Sequence, residues 1–264
     1  MPAKIILLFL TVYSLFGLTS CYEELDGCLD PLARNYTLAA DNDCSDCCEF
    51  PAIELRINHV YGSGTYGLNR DLVTNVGDTF RVTQQSIYLS RIYFTTPSGD
   101  VLENRSTKMY TLDEVNVLKP LDFCLIKSTS VVCSAGTARY AGQVNKAHFQ
   151  LGLEEGLTML DSASVSRDPV LTWREPARVN NTYYALYFKV TTSDNQEKVY
   201  YVPADDVFDF TSGPGYVNGA GQAIQFYISI DYFKLFEDIN FKTMPNEEVV
   251  KQIMTNISKA FSGN

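Results

Sequence analysis

Ile53-Glu-Leu-Arg-Ile-Asn-His-Val60 alternates apolar or aromatic residues with polar ones up to Val60. Successive side chains of an extended chain point to opposite faces, so Ile53, Leu55, Ile57 and His59 share one face. This is the signature of a half-buried strand. The pattern continues outward through Thr79-Phe-Arg-Val82 and Ser86-Ile-Tyr-Leu-Ser-Arg-Ile-Tyr-Phe-Thr95, with Pro97-Ser-Gly-Asp100 as the turn that follows. Tyr140 to Leu153, Thr182 to Thr192, Lys198 to Val202 and Gln222 to Ile230 extend the series. Asp194-Asn195 and Ser212-Gly-Pro-Gly215 read as punctuation between strands. Many short strands separated by turn signals predict an all-β fold, an antiparallel β-sandwich.

The period changes at the end of the chain. From Asn246 to Phe261 the apolar residues Val249, Val250, Ile253, Ile257 and Phe261 fall on one helical face, and Pro245 stands near the start. That predicts a C-terminal amphipathic helix. No internal repeat is evident.

The other end carries a leader. Lys4 precedes a mainly apolar run from Ile5 to Phe16, too short to span a bilayer as a helix and of the form of a cleaved signal peptide. Leu18-Thr-Ser-Cys21 resembles the bacterial lipobox, in which the cysteine thiol receives a diacylglycerol. Residues 1–20 are therefore expected to be a lipoprotein signal peptide and Cys21 the lipidated residue. Each buried methylene contributes roughly 0.8 kcal/mol, so two or three acyl chains are enough for stable attachment. The acidic Glu23-Glu24 and Asp26 just after Cys21 resemble a surface-export signal. The expected location is the outer membrane by lipid anchor, at the cell surface, with the periplasmic face as the alternative.

Six further cysteines, Cys28, Cys44, Cys47, Cys48, Cys124 and Cys133, are an even set in an exported chain and are read as disulfide candidates. Cys124 and Cys133 flank a polar Lys127-Ser-Thr-Ser130 turn and are expected to pair. The other four would staple residues 21–50, a lipidated tether and small module that is too short to bury a core of its own. This segment resembles a short motif of secreted bacterial proteins of the form G-C-x-D-P-x-A-x-N-Y, here beginning at Gly27. Zinc at Cys44, Cys47 and Cys48 is the competing reading, against which stand the absence of a nearby histidine and the oxidising setting. Asp30, Asp41, Asp43 and Asp46 could supply oxygen ligands to calcium, or serve as turn residues that bond their own backbone.

Composition narrows the function. The net charge is −10 and no basic cluster exists, which excludes a phosphate-binding surface and argues against nucleic acid as a partner. The chain has no G-x-S-x-G elbow, P-loop, dinucleotide fingerprint or H-E-x-x-H. Glu154-Glu155 and Asp205-Asp206 are adjacent carboxylates, which point to opposite sides of a strand and cannot share a substrate. The chain is read as non-enzymatic. Its 17 Tyr and 15 Phe against one Trp are read mainly as packing, with an exposed aromatic patch for a partner as the other use.

Several stretches, taken in order over about residues 52–262, resemble the MbnP-like family of copper-associated exported proteins. They are Ile53 to Gly62; Ser86 to Phe94 with Ser98-Gly99; His148-Phe-Gln-Leu-Gly-Leu-Glu154; Leu171-Thr-Trp173 leading to Tyr183 to Phe188; and Ile228 to Phe236 with the terminal helix containing Asn256 and Phe261. The resemblance implies an immunoglobulin-like sandwich over residues 51–264 and copper as the ligand. It also implies histidine together with an oxidised tryptophan, and a haem peroxidase as partner in some members. Carried over, the metal ligands would be His59 and His148, and Trp173 the functional aromatic. Two histidines and no Met/His-rich tract depart from a tight copper site, because copper prefers soft or imidazole ligands. The expectation is a membrane-anchored, copper-associated binding lipoprotein. The alternative is a structural or accessory lipoprotein subunit of an outer-membrane protein complex, without metal.

Overall fold

The structure, a computed structural model, describes residues 22–160, 162–166, 168–172, 176–180, 182–203 and 207–263. The signal segment, Cys21, Trp173 and the Asp205-Asp206 pair lie outside the described residues.

The main strands begin with β1 (Ala52–Tyr61), β2 (Thr79–Thr95), β3 (Thr107–Leu112), β4 (Val115–Pro120), β5 (Cys124–Ile126), β6 (Val132–Thr137) and β7 (Gly142–Leu151). Two single-turn helices follow, α1 (Glu155–Thr158) and α2 (Ser162–Val165). Then come β8 (Leu186–Thr192), β9 (Glu197–Val202), β10 (Val207–Asn218) and β11 (Ile224–Asp231). Helices α3 (Tyr232–Leu235) and α4 (Asn246–Ala260) and the short β12 (Phe261–Gly263) close the chain.

One sheet runs in the order β6-β1-β11-β12 and the other in the order β9-β8-β2-β7-β10, with β5 also paired to β2. Side chains from both sheets meet in one core. Ile53, Leu55 and Ile57 of β1 are buried against Phe80, Val82 and Phe94 of β2 and Phe226 of β11. The alternating residues Ile53, Leu55 and Ile57 are therefore the inner face of a strand. The fold is all-β and a sandwich, but it is not purely antiparallel. β11 lies parallel to β1, with Ile230 beside His59. Strand direction is set by the crossover between the sheets, which hydropathy patterning does not encode.

The disulfide Cys124–Cys133 forms as expected, and its location explains its use. Cys124 lies opposite Leu89 in one sheet and Cys133 opposite Leu55 in the other, so the bond ties the two sheets together at one end.

One reading of the sequence is corrected, and two features that it did not mark are added. Ser212-Gly-Pro-Gly215 is not a break between strands but lies within β10. Val144 pairs with Tyr216 and Lys146 with Thr211, so residues 212–215 bulge opposite Asn145. A bulge tolerates Pro and Gly because it leaves residues out of the ladder. Ser86 to Thr95 is strand as expected, the second half of β2, and carries a bulge at Arg91, where φ is 53° and the register with β7 shifts. The other addition is at residues 107–120, where β3 and β4 form a hairpin that the turn signals did not mark.

That hairpin creates a second, smaller core on the outer side of β2. Tyr88, Tyr110, Phe123, Leu153, Leu157, Leu171 and Tyr183 pack there under the hairpin and the α1–α2 segment. Asp168 holds it in place. Its carboxylate, 4% exposed, accepts from Lys108 Nζ at 2.6 Å, Tyr110 Oη at 2.7 Å and the backbone amides of Val170 and Leu171 at 2.9 and 3.0 Å. Burial alone would raise the pKa of this group, but these four donors hold it below the ordinary value.

The terminal helix forms where its period places it, capped by Pro245. Val249, Ile253 and Ile257 are buried in the main core, Val250 is only partly covered, and Phe261 begins β12 rather than ending the helix. Buried Asn256 donates to the carbonyls of Leu235 and Glu237, so it satisfies the end of α3.

Candidate functional site

β1 delivers His59 to the inner face of the sandwich, where its ring is 8% exposed. The neighbouring β11 runs straight into α3, and Asp231 fixes that junction by accepting from Phe233 N at 3.0 Å and Gly62 N at 2.9 Å. Tyr232 is thereby set beside His59, with the two rings stacked at 5.8 Å.

The hydrogen bonds around the ring define a direction. Nε2 lies 2.7 Å from the carbonyl oxygen of Ser130, which can only accept, so Nε2 carries the proton. Nδ1 is then the acceptor, and the Tyr232 hydroxyl donates to it at 2.9 Å. Gln85 Nε2 donates to the same hydroxyl oxygen at 2.6 Å, and Tyr66 donates to Gln85 Oε1 at 2.6 Å. The chain Tyr66–Gln85–Tyr232–His59–Ser130 thus runs donor to acceptor throughout. Tyr66 and Tyr232 stack at 3.6 Å. Burial lowers the His59 pKa and outweighs the opposing hydrogen bond to Ser130, so the ring is held neutral.

With both ring nitrogens engaged, His59 cannot take a proton from a nucleophile or bind a metal until one of these bonds breaks. What it does is fix the loop closed by Cys124–Cys133 onto β1, next to the backbone bond from Ile57 N to Val131 O at 2.9 Å. Gln85 extends this network to the surface. It lines a cleft of about 330 Å³ with Gln84, Ser86, Lys127, Ser128, Thr129 and Tyr187, a volume at the lower end of the range for small-ligand sites. Pro176 also lines the cleft.

His148 lies elsewhere. Its neighbours Ala147 and Phe149 belong to the core, which places His148 on the outer face of β7. There it stacks on Tyr93 with centroids 4.4 Å apart and planes 7° apart, and its Nε2 is 3.4 Å from Thr95 Oγ1. The structure does not bring the two imidazoles to one place. Among the described residues, no group of three or more His, Cys, Asp or Glu side chains is arranged to hold a metal ion. As placed, His59 and His148 do not form a shared copper site.

In the N-terminal module the disulfide is Cys28–Cys48. Cys44 and Cys47 carry free thiols, which corrects the expectation that all four cysteines would be bonded. Three of the four aspartates serve the backbone. Asp41 accepts from Leu25 N at 3.0 Å, Asp43 from Leu29 N at 3.2 Å, and Asp30 from Leu32 N at 3.0 Å and from the Arg139 guanidinium. The Asp30–Arg139 pair also docks the module on the sandwich. Gly221, at φ 70°, lets the backbone of Ala33 and Arg34 approach, since a Cβ there would lie 3.1 Å from the Ala33 oxygen.

Tyr66, Gln85, Ser130, Tyr232 and Asp168 were not singled out in the sequence as site residues. The side chains they engage lie 19 to 173 positions away, which no local motif encodes.

No family model and no curated protein matches this chain. Among solved structures, MbnP from Methylosinus trichosporium superposes with a TM-score of 0.47 and 10% identity, over 76% of this chain and 87% of that chain. The likeness is distant.

Proposed function

We propose that this chain is a lipid-anchored, non-enzymatic accessory lipoprotein that presents a β-sandwich to a partner at a membrane surface, with its buried histidine serving structure. The observation that carries this is the engagement of both ring nitrogens of His59 in a directed hydrogen-bond chain. An imidazole so used locks a loop; it offers no lone pair. The anchor rests on the sequence around Cys21, and the placement in the outer membrane on the acidic residues that follow it.

The test has two parts. Cys21→Ser should move the protein from the membrane fraction to the soluble fraction and abolish incorporation of labelled palmitate. Mild solubilisation of membranes should recover the wild type together with another outer-membrane protein, and recovery of the lipoprotein alone counts against an accessory role.

Copper association is the second reading. It is favoured by the ordered resemblance over residues 52–262 and by His148, which stands on the outer face of its strand, away from the hydrogen-bond chain of His59. Metal analysis of purified protein after incubation with copper(I) or copper(II) decides it. Binding that His148→Ala removes and His59→Ala spares supports this reading, and no copper above background rejects it.

A further inference from the structure

Cys44 and Cys47 stand three residues apart on one turn of 3-10 helix over Ser45–Cys47. Cys47 N donates to Cys44 O at 3.1 Å, and the Cys47 thiol donates to the same oxygen at 2.9 Å. The turn is held from outside. Cys44 N donates to Gly27 O at 2.9 Å, Asn35 Nδ2 donates to Cys47 O at 2.7 Å, and Asn35 Oδ1 accepts from Glu49 N at 2.8 Å. None of these bonds uses a thiol, so all survive a change at the sulfurs. A one-turn spacing also puts two Cα atoms within the roughly 4.4–6.8 Å that a disulfide spans.

The other four cysteines are already bonded, and their setting differs. Cys28, Cys124 and Cys133 are 1%, 5% and 3% exposed and Cys48, like Cys44, is half-buried, whereas Cys47 is on the surface. Exposed disulfides are the exchangeable ones, and buried ones resist reduction. We infer that Cys44-x-x-Cys47 is a reversible thiol–disulfide exchange site, distinct from the two structural disulfides, whose partner is a small-molecule or protein disulfide.

The Cys44 thiolate attacks one sulfur of the partner R–S–S–R, forming Cys44–S–S–R and expelling RS⁻. The Cys47 thiolate then attacks the Cys44 sulfur, closing Cys44–Cys47 and expelling the second RS⁻. The two protons lost by the cysteines go to the two RS⁻ groups. The chain is oxidised by two electrons and the partner disulfide is reduced to two thiols. Cys47 acts second because its thiol is pushed up to about 11, first by its hydrogen bond with the Cys44 side chain.

The experiment uses the full folded chain, equilibrated in glutathione buffers from fully reduced to fully oxidised. Free thiols are then trapped by alkylation and mapped by mass spectrometry. Cys44 and Cys47 should be alkylated together under reducing buffer and lost together under oxidising buffer, with the appearance of a peptide linked between them. Cys28, Cys48, Cys124 and Cys133 should stay unlabelled throughout. Cys47→Ser should leave one stable glutathione adduct on Cys44, because the resolving thiol is gone. The inference is overturned if wild type keeps both thiols free in oxidised glutathione. It is equally overturned if the Cys44–Cys47 bond resists reduced glutathione, or if Cys28 and Cys48 become labelled in the same step.

Discussion

The Tyr232 hydroxyl donates to His59 Nδ1 at 2.9 Å across the junction where the parallel strand β11 turns into α3. The two residues are 173 positions apart, and their bond joins the first strand of the sandwich to the start of α3. Through Nε2 the same ring reaches Ser130 in the disulfide loop, so a single imidazole ties three distant parts of the chain.

Replacing His59 with Ala leaves the Tyr232 O–H without its acceptor, although the oxygen keeps the bond from Gln85, and leaves the Ser130 carbonyl without the imidazole donor. Each such loss costs about 1–3 kcal/mol, so His59→Ala should lose about 2–6 kcal/mol of stability. Tyr232→Phe should lose less, and the double variant should fall short of the sum. Urea unfolding measures all three; full additivity would mean the two side chains are not coupled.

His59 also gives the stability a pH dependence. Its folded pKa lies below the ordinary value, so between the two the unfolded chain binds the extra proton. The contribution is complete above about pH 6.5, the unfolded histidine value, and falls as pH drops below it. The melting temperature should decline on acidification through this window, and His59→Gln should flatten that decline. An unchanged slope in the variant would place the effect elsewhere.

Asp122 has the opposite sign. Burial, and secondarily the charge of Glu154, raise its pKa to about 6, and its Oδ1 has no hydrogen-bond partner. A raised carboxyl favours the fold while protonated, below the unfolded value near 3.8, and that contribution is lost as pH rises through about 6. Asp122→Asn should therefore stabilise the protein at pH 7 and make no gain at pH 4. After allowance for solvent screening the effect is of order 1 kcal/mol. Thermal melts at the two pH values check it, and destabilisation at pH 7 would refute it.

Asp168→Ala strips four donors of their acceptor beneath the β3–β4 hairpin. Removing one partner of a buried charged pair costs about 3–5 kcal/mol, and the lower end applies because Lys108 is 41% exposed. Hydrogen exchange should speed up in residues 107–120 and leave β1 and β11 unchanged. Uniform acceleration over both cores would show that the smaller one does not open separately.

Cutting the inter-sheet bond with Cys124→Ala and Cys133→Ala opens a nine-residue closure. Chain entropy for so short a loop amounts to about 2.5 kcal/mol. The variant should lose about that much stability and melt at a lower temperature, and its Ser130 amide region should exchange faster because the loop is then held to β1 by His59 and the Ile57–Val131 backbone bond without the disulfide. Equal melting of variant and wild type would exclude a role for the bond in stability.

Much of this was legible in the sequence because it depends on local order. Alternation at Ile53 to His59 reports one buried face, and the helical spacing of Val249, Ile253 and Ile257 reports another. The close spacing of Cys124 and Cys133 about a polar turn indicated their pairing. The leader and Cys21 are read from sequence alone, since they lie outside the described residues. The parallel β1–β11 pairing, the hairpin over a second core, and the free thiols of Cys44 and Cys47 were not legible. Each depends on which distant segments meet. The same holds for His59, whose place on the apolar face follows from a period of two. Whether that ring holds a ligand or a loop was decided only when folding brought Tyr232 to one nitrogen and Ser130 to the other, since a hydrogen bond depends on distance and direction in space.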